Sequence, residues 1–344
     1  MTKTKTNPGR FFEDYTVGQV IEHAVPRTVS GGERALYHAL YPARHALYSS
    51  DEFARSCGLE AAPLDDLAAF HVVFGKTVPD ISLNALANLG YAEGRWLRTV
   101  HAGDTLRSVS EVIGLKQNSN GKSGVVWVRT KGFNQRDEAV LDYVRWVMVK
   151  KRDMEAPAPE TVIPELASAL SADQLVIPEG LDFATYDFTQ AGEPHRWGDY
   201  EVGEVIDHVD GVTIEEAEHM LATRLWQNTA KVHFDTTARE GGRLIYGGHV
   251  ISMARALSFN GLANAQIIVG LNGGAHANPC HAGDTVRAWS EVLDRAETAA
   301  PGVGALRLRL VATKGGTAGK LKGEDGRYLP DVLLDLDYWA LVPM

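Results

Sequence analysis

His101-Ala102-Gly103-Asp104-Thr105 recurs as His281-Ala282-Gly283-Asp284-Thr285, and each copy runs on to a Glu-Val pair, Glu111-Val112 and Glu291-Val292. One such match is within chance. Three further matches keep the same order. Phe12-Glu13-Asp14-Tyr15-Thr16-Val17-Gly18 corresponds to Trp197-Gly198-Asp199-Tyr200-Glu201-Val202-Gly203, Thr130-Lys131-Gly132 to Thr313-Lys314-Gly315, and Leu141-Asp142-Tyr143 to Leu336-Asp337-Tyr338. The offset drifts from 185 to 180 and then to 195, as loops of unequal length require. Ordered self-similarity of this kind marks a duplicated domain, and 344 residues is also long for one core.

The seam between the copies is rich in proline. Residues 154–193 hold Pro157, Pro159, Pro164 and Pro178 among alanine, serine and acidic residues, a density that disfavours a continuous helix or strand. The expected organisation is an N-terminal domain over 1–152, a linker over 153–193 with a short helix near 165–170, and a C-terminal domain over 194–344. Each copy then reads alike. A strand (19–25; 204–209) leads to a short helix (32–40; 214–225), an irregular segment and a longer apolar helix (64–77; 248–262). Alternating stretches at 124–130, 139–149, 305–313 and 332–342 close the copies as antiparallel strands. Asn118-Ser119-Asn120-Gly121 and Gly323-Glu324-Asp325-Gly326 read as turns. A buried helix followed by antiparallel strands is an α+β domain. Two such sheets joined edge to edge bury the edges a single sheet leaves open.

Bulk properties exclude several classes. A net charge of −10 argues against nucleic acid as the main partner. Cys57 and Cys280 are too few for a disulfide framework or a metal cluster, which fits a reduced compartment. The opening Met1-Thr2-Lys3-Thr4-Lys5 is polar, without an apolar signal region, and no run reaches membrane-spanning length. The expectation is a cytoplasmic protein with no membrane partner.

Candidate chemistry lies where the copies diverge. Aligned from Thr28 against Thr213, Leu40 falls on Leu225 and Tyr41 on Trp226, but Asn228 faces Ala43, His233 faces Tyr48 and Asp235 faces Ser50. His233 is the candidate acid/base, since imidazole titrates near neutral pH. Asn228 holds water or a carbonyl without taking a proton, and Asp235 is a candidate to orient the imidazole. Tyr246-Gly247-Gly248-His249 opens the second long helix, whose first free N–H groups suit a developing oxyanion. In the first copy the helix begins near Ala62-Pro63-Leu64-Asp65. Leu83, Asn84, Gly94, Arg95 and Trp96 lie between that helix and the next strands; with Ala62, Pro63, Tyr246 and Gly247 they are candidates to line a substrate channel. The pattern that the first copy lacks the histidine suggests a catalytically degenerate, substrate-holding half.

The segment Asn228 to His233, followed by Ile245-Tyr246-Gly247-Gly248, resembles the hydratase motif of MaoC-like, (R)-specific enoyl-CoA hydratases. His233 matches the motif histidine and Gly248 its glycine, while Asn228 stands where the motif has an acid. Phe70-His71-Val72-Val73-Phe74-Gly75-Lys76-Thr77-Val78-Pro79, Trp226 to Phe234 and Ser258-Phe259-Asn260-Gly261-Leu262 extend the likeness to the mesaconyl-CoA hydratase (β-methylmalyl-CoA dehydratase) branch. The resemblance implies a double hot-dog fold and a hydro-lyase that reversibly hydrates mesaconyl-CoA (2-methylfumaryl-CoA), in the ethylmalonyl-CoA type of carbon assimilation. It implies no cofactor, CoA being part of the substrate. Arg95, Arg98 and Arg224 are the arginines considered for the substrate's free carboxylate. Association into a homodimer is a further expectation. A hot-dog acyl-CoA thioesterase and a non-catalytic acyl-CoA-binding module are the rival readings.

Overall fold

The computed structural model describes residues 5–316 and 318–344; residues 1–4, the start of the polar opening segment, lie outside the described residues. The first half supplies β1 (Val20–Glu22), β2 (Arg27–Thr28), β3 (Ala85–Trp96), β4 (Thr105–Gln117), β5 (Ser123–Phe133) and β6 (Ala139–Lys150). The second half supplies β7 (Val205–Thr213), β8 (Ile267–His276), β9 (Thr285–Glu297), β10 (Val303–Thr313) and β11 (Val332–Pro343). The described residues form one eleven-stranded sheet in the order β1-β4-β5-β6-β3-β8-β11-β10-β9-β7, with β2 pairing beside β4. The order is a mirror: each half reads outward from its middle strand, and β3 meets β8 at the centre. The edge-to-edge union expected from the repeat is therefore an antiparallel ladder, Tyr91↔Gly274, Ala92↔Gly273, Gly94↔Leu271 and Arg95↔Gly270.

Each half wraps its sheet around one helix. In Asp66–Thr77 every residue is buried, which suits a largely apolar segment whose Asp66, His71 and Lys76 find hydrogen-bond partners. Asp65 caps it, its Oδ1 accepting from Leu67 N at 2.9 Å. Pro63 precedes the cap rather than opening the helix, and Pro79 follows in a single wide turn, Val78–Ser82. The counterpart helix, Gly247–Leu257, is buried from Gly248 onward. It stops at Ser258 rather than running to 262. Asn260 leaves helical geometry and Gly261 takes φ +97°, so Phe259–Leu262 forms a separate turn.

The proline-rich segment contains a short turn at Ala172–Gln174 instead of a helix at 165–170. It packs across the joint of the sheet. Leu170 N donates to Asn272 Oδ1 at 2.8 Å, and Trp339 Nε1 donates to the Leu170 carbonyl at 3.2 Å. Cys57 and Cys280 are free, buried thiols. Among the described residues no helix is long and apolar enough to cross a membrane.

The halves approach closely where Gly75 faces the backbone of Trp226. A Cβ added at Gly75 would stand 1.7 Å from the Trp226 carbonyl oxygen, which is main chain and cannot swing away. Gly75→Ala should therefore destabilise the fold by more than about 2 kcal/mol, although alanine gains about 1 kcal/mol in helix propensity. Urea denaturation of the variant reads this directly; a stability equal to or above wild type would contradict the packing described.

Candidate active site

A cleft of about 280 Å³ opens between the halves. The second half contributes Asn228, His233, Tyr246, Gly247 and His276, and the first contributes Phe74, Ser82, Asn88, Tyr91 and Arg145. The composite lining follows from the joint. Antiparallel pairing carries the start of β3 across to the second half's helix, while its end at Trp96 stays with its own.

His233 sits in a one-turn helix, Lys231–Phe234. Its Nδ1 lies 2.9 Å from the Leu244 carbonyl oxygen. A carbonyl only accepts, so Nδ1 carries the proton and Nε2 keeps its lone pair for the cleft. Burial lowers the imidazole's pKa, and the Leu244 bond partly opposes this; the ring is neutral, and basic, near pH 7. Asn228 is placed by a left-handed Gln227 (φ +57°), after which Asn228 N donates to the Thr223 carbonyl at 2.9 Å. Its Oδ1 accepts from Ala230 N at 3.3 Å, which leaves the amide N–H groups to face the cleft.

The helix at Gly247–Leu257 begins without a side-chain cap. Its first N–H groups are thus the partial positive charge of the cleft. A Cβ at Gly247 would stand 2.4 Å from the His276 ring, and one at Gly248 would stand 2.4 Å from the Tyr246 ring, so both positions require glycine. Gly247 lines the cleft; Gly248 lies beneath the Tyr246 ring. Tyr246 is locked in place. Its N donates to His219 Nε2 at 2.9 Å, and its hydroxyl lies 3.1 Å from His71 Nδ1.

The same place in the first half is filled. Tyr48 stands third in the one-turn helix Ala46–Ser49, as His233 does in its own, and the residues before the two turns share one conformation (His45 φ −58°, ψ 123°; Ala230 φ −56°, ψ 126°). The Tyr48 hydroxyl donates to Asp66 Oδ2, which also accepts from Ile268 N at 2.7 Å. Asp65 caps the helix that its counterpart leaves open. Burial, with Asp65 alongside, pushes the Asp66 carboxyl up to about 8. The residual space holds about 10 Å³, bounded by Trp96, Arg98 and the linker's Val176 and Pro178.

Several expected residues lie elsewhere. Asp235 is exposed and turned toward Thr237, accepting from its N at 2.8 Å and its hydroxyl at 2.7 Å, so the Leu244 carbonyl orients the imidazole instead. Ala62 and Pro63 are buried in the first half, Ala62 N donating to Asp51 at 3.2 Å. Asn84 donates to the carbonyls of Pro8 and Arg10 at 3.0 and 3.1 Å, and Leu83 packs on Gly9. Gly94 belongs to the central ladder, and Trp96 donates to the Asp66 carbonyl at 2.9 Å. Arg95 pairs with Asp142 at 3.4 Å, Arg98 with Glu138 at 3.4 Å, and Arg224 is exposed. Distance along the chain alone places these residues near the cleft. The mirror order of the sheet instead sends residues 94–96 toward the filled side. Sequence reasoning missed Asn88, Tyr91, Arg145 and His276. The signal for Arg145 was present: Leu141, Tyr143, Arg145, Val147 and Val149 share one face of an alternating strand, and an arginine interrupts its apolar row.

A sheet wrapped on two central helices, with one open cleft holding a neutral histidine beside a helix start, defines a double hot-dog protein of the MaoC-like class. A MaoC domain dehydratase from Chloroflexus aurantiacus superposes with a TM-score of 0.96 at 57% identity over 99% of both chains. A Mycobacterium tuberculosis protein described as a double hotdog fold superposes at 0.73, with 24% identity over 97% of this chain and 98% of that one. The family model for mesaconyl-CoA hydratase matches residues 1–319. The chain is 78% identical to the mesaconyl-CoA hydratase of Cereibacter sphaeroides (98% of this chain, 99% of the relative). It is 58% identical to the β-methylmalyl-CoA dehydratase of Chloroflexus aurantiacus (98% of each). The chain belongs to the mesaconyl-CoA hydratase family of hydro-lyases.

Buried imidazoles, three of them around the cleft and His208 beside Asn260 and Ser290, set a pH limit on stability. Burial lowers His71 and His219 to about 3, and His276 and His208 to about 4. Between those values and about 6.5 the unfolded chain binds protons that the folded chain refuses, so stability falls as pH falls through this window. Asp65 and Asp66 are raised and act in the opposite sense. Four histidines outweigh two carboxyls. Unfolding free energy should drop by about 1.4 kcal/mol per pH unit for each net proton as the pH falls from 6 to 4.5, as read by urea titrations at fixed pH. A flat profile there would mean that the cleft's histidines are charged in the folded protein.

Proposed function

We propose that the cleft reversibly hydrates mesaconyl-CoA to β-methylmalyl-CoA. The observation that carries this reading is the His233 imidazole, fixed by Leu244 with Nε2 free, beside an uncapped helix start. The names of the two relatives describe the two directions of one such reaction. The thioester carbonyl accepts N–H bonds from Gly247 and Gly248 at the helix start. Water, held by the Asn228 amide, loses a proton to His233 Nε2 as its oxygen bonds to Cβ. The π electrons move to Cα and the thioester oxygen, giving an enolate-like charge opposite the helix dipole. The imidazolium then returns that proton to Cα. Acceptance and return by one group on one face make the addition syn. They also remove the need for a second acid, so Asn228 at the motif's acid position is no obstacle. Atoms balance with water alone, and no cofactor enters.

On this proposal the first half is a catalytically silent wall, since its helix start is occupied by its own carboxyls. The step would serve carbon assimilation of the ethylmalonyl-CoA type in the cytoplasm. The cleft draws on both halves of one chain, so a homodimer, read by light scattering, is a separate proposal.

His233→Gln should lower kcat by about 10²- to 10⁴-fold, the contribution of positioned acid/base groups, while changing substrate affinity little. The assay follows loss of the enoyl-thioester absorbance and the gain of one water in product mass. Near-normal turnover would remove His233 from the mechanism. Release of free CoA thiol without hydration would make the protein a thioesterase.

A further inference from the structure

Arg145 is fully buried in β6 and lines the cleft. Its Nη2 donates to Thr77 Oγ1 at 2.8 Å, and its guanidinium lies 4.3 Å from the centre of the Phe74 ring. Nε and Nη1 have no partner among the described residues. Other arginines of the sheet are paired: Arg129 with Glu93 and Asp142, Arg307 with Asp337, Arg309 with Glu291. Burying an unpaired cation is costly, and a guanidinium does not escape the cost by shedding its proton. Asn88, in the same lining, also has both side-chain polar atoms buried without a partner. Ser82 Oγ, in the same lining, is a third such group, and orphaned polar groups gathered in one cleft call for a ligand that satisfies them.

The repeat separates this arginine from the shared framework. Tyr143 and Tyr338 are twins, both fully buried, and the same register brings Arg145 onto Ala340, each two positions further along its strand. A residue needed by the fold itself would have a basic twin. Arg145 instead occurs once, in the half whose strand enters the open cleft.

We propose that Arg145, assisted by Asn88, binds the free carboxylate of a dicarboxylic acyl group and so selects such thioesters over neutral ones. This rests on reading the cleft as an acyl-CoA hydratase site. In 2-methylfumaryl-CoA that carboxylate is bonded to Cβ, the carbon that receives the hydroxyl. A carboxylate takes two parallel N–H bonds from a guanidinium, and Nε and Nη1 are the pair left open. The phosphates of CoA belong to the solvent-facing end of the ligand; Arg145 has no exposed surface to offer them.

The test uses two saturated thioesters that differ at Cβ. Succinyl-CoA carries a carboxylate there and butyryl-CoA a methyl group, and neither is hydrated. Wild-type protein should prefer succinyl-CoA in competition binding, and Arg145→Met should shrink the preference by at least about thirtyfold, the worth of a charged hydrogen-bonded pair. Arg145→Lys should retain part of it. If Arg145→Met does not fold, Asn88→Leu and Arg145→Lys carry the same measurement. A preference unchanged in the folded variants, or absent from wild type, overturns the proposal. The kcat/KM ratio of mesaconyl-CoA over tiglyl-CoA, in which methyl replaces carboxylate, should fall in parallel. Wild type that binds succinyl-CoA selectively yet hydrates neither enoyl-CoA would instead overturn the hydratase reading and leave Arg145 standing.

Discussion

The structure depends on the ladder between β3 and β8. Four residue pairs join the two sheets antiparallel, and three of the four β8 residues are glycines, Gly270, Gly273 and Gly274. Side chains are scarce there because other groups need the space. A Cβ at Gly274 would meet the Tyr91 ring at 3.0 Å, and one at Gly270 would meet the linker's Leu170 at 3.0 Å. On its other side β3 runs against β6 with three register shifts, at Ala85/Ala87, Asn88/Gly90 and Ala92/Arg95. Bulges bend a strand and re-aim its side chains. The strand that joins the halves is thereby bent into the cleft at its start and away from it at its end.

The same ladder explains how two like halves come to differ. A pseudo-symmetric joint creates two equivalent helix starts and two equivalent clefts. At one, glycines leave the backbone N–H groups open and a histidine faces them. At the other, Asp65 and Asp66 bring carboxyl groups to that place, and Tyr48 donates to one of them. A helix start attracts negative charge whichever molecule supplies it. In the filled half the chain places its own carboxyl oxygens there as hydrogen-bond acceptors; in the open half the developing charge of an acyl thioester takes that place under the proposal above. Burial keeps Asp66 from paying the full cost of an isolated charge, since its carboxyl is raised and hydrogen-bonded.

Much of this was legible in the residues. The repeat is explicit, so the duplication, the two buried helices and the alternating strands follow from spacing alone. The match of His233 to Tyr48 also came from aligned sequence, and the two do occupy the same place in like turns. Pairing partners were not legible. Nothing local in Ala85–Trp96 says that its first residues serve the other half's helix, so Gly94, Arg95 and Trp96 were expected at the substrate channel. Asp235 was expected at His233 as the nearest carboxyl in the polar set that the first copy lacks. A one-turn helix followed by extended backbone turns it outward, and a main-chain carbonyl eleven residues on from His233 does the orienting. Long-range backbone bonds of this kind leave no trace in residue type. Arg145 did leave one, a charge in the apolar register of a strand, but only burial shows that it has no partner.

The two halves build one open cleft between them. Equilibrium titration with succinyl-CoA, followed by calorimetry, tests it most directly. One thioester should bind per chain, because the first half's helix start is closed by Asp65, Asp66 and Tyr48. Two equivalent sites per chain would contradict it.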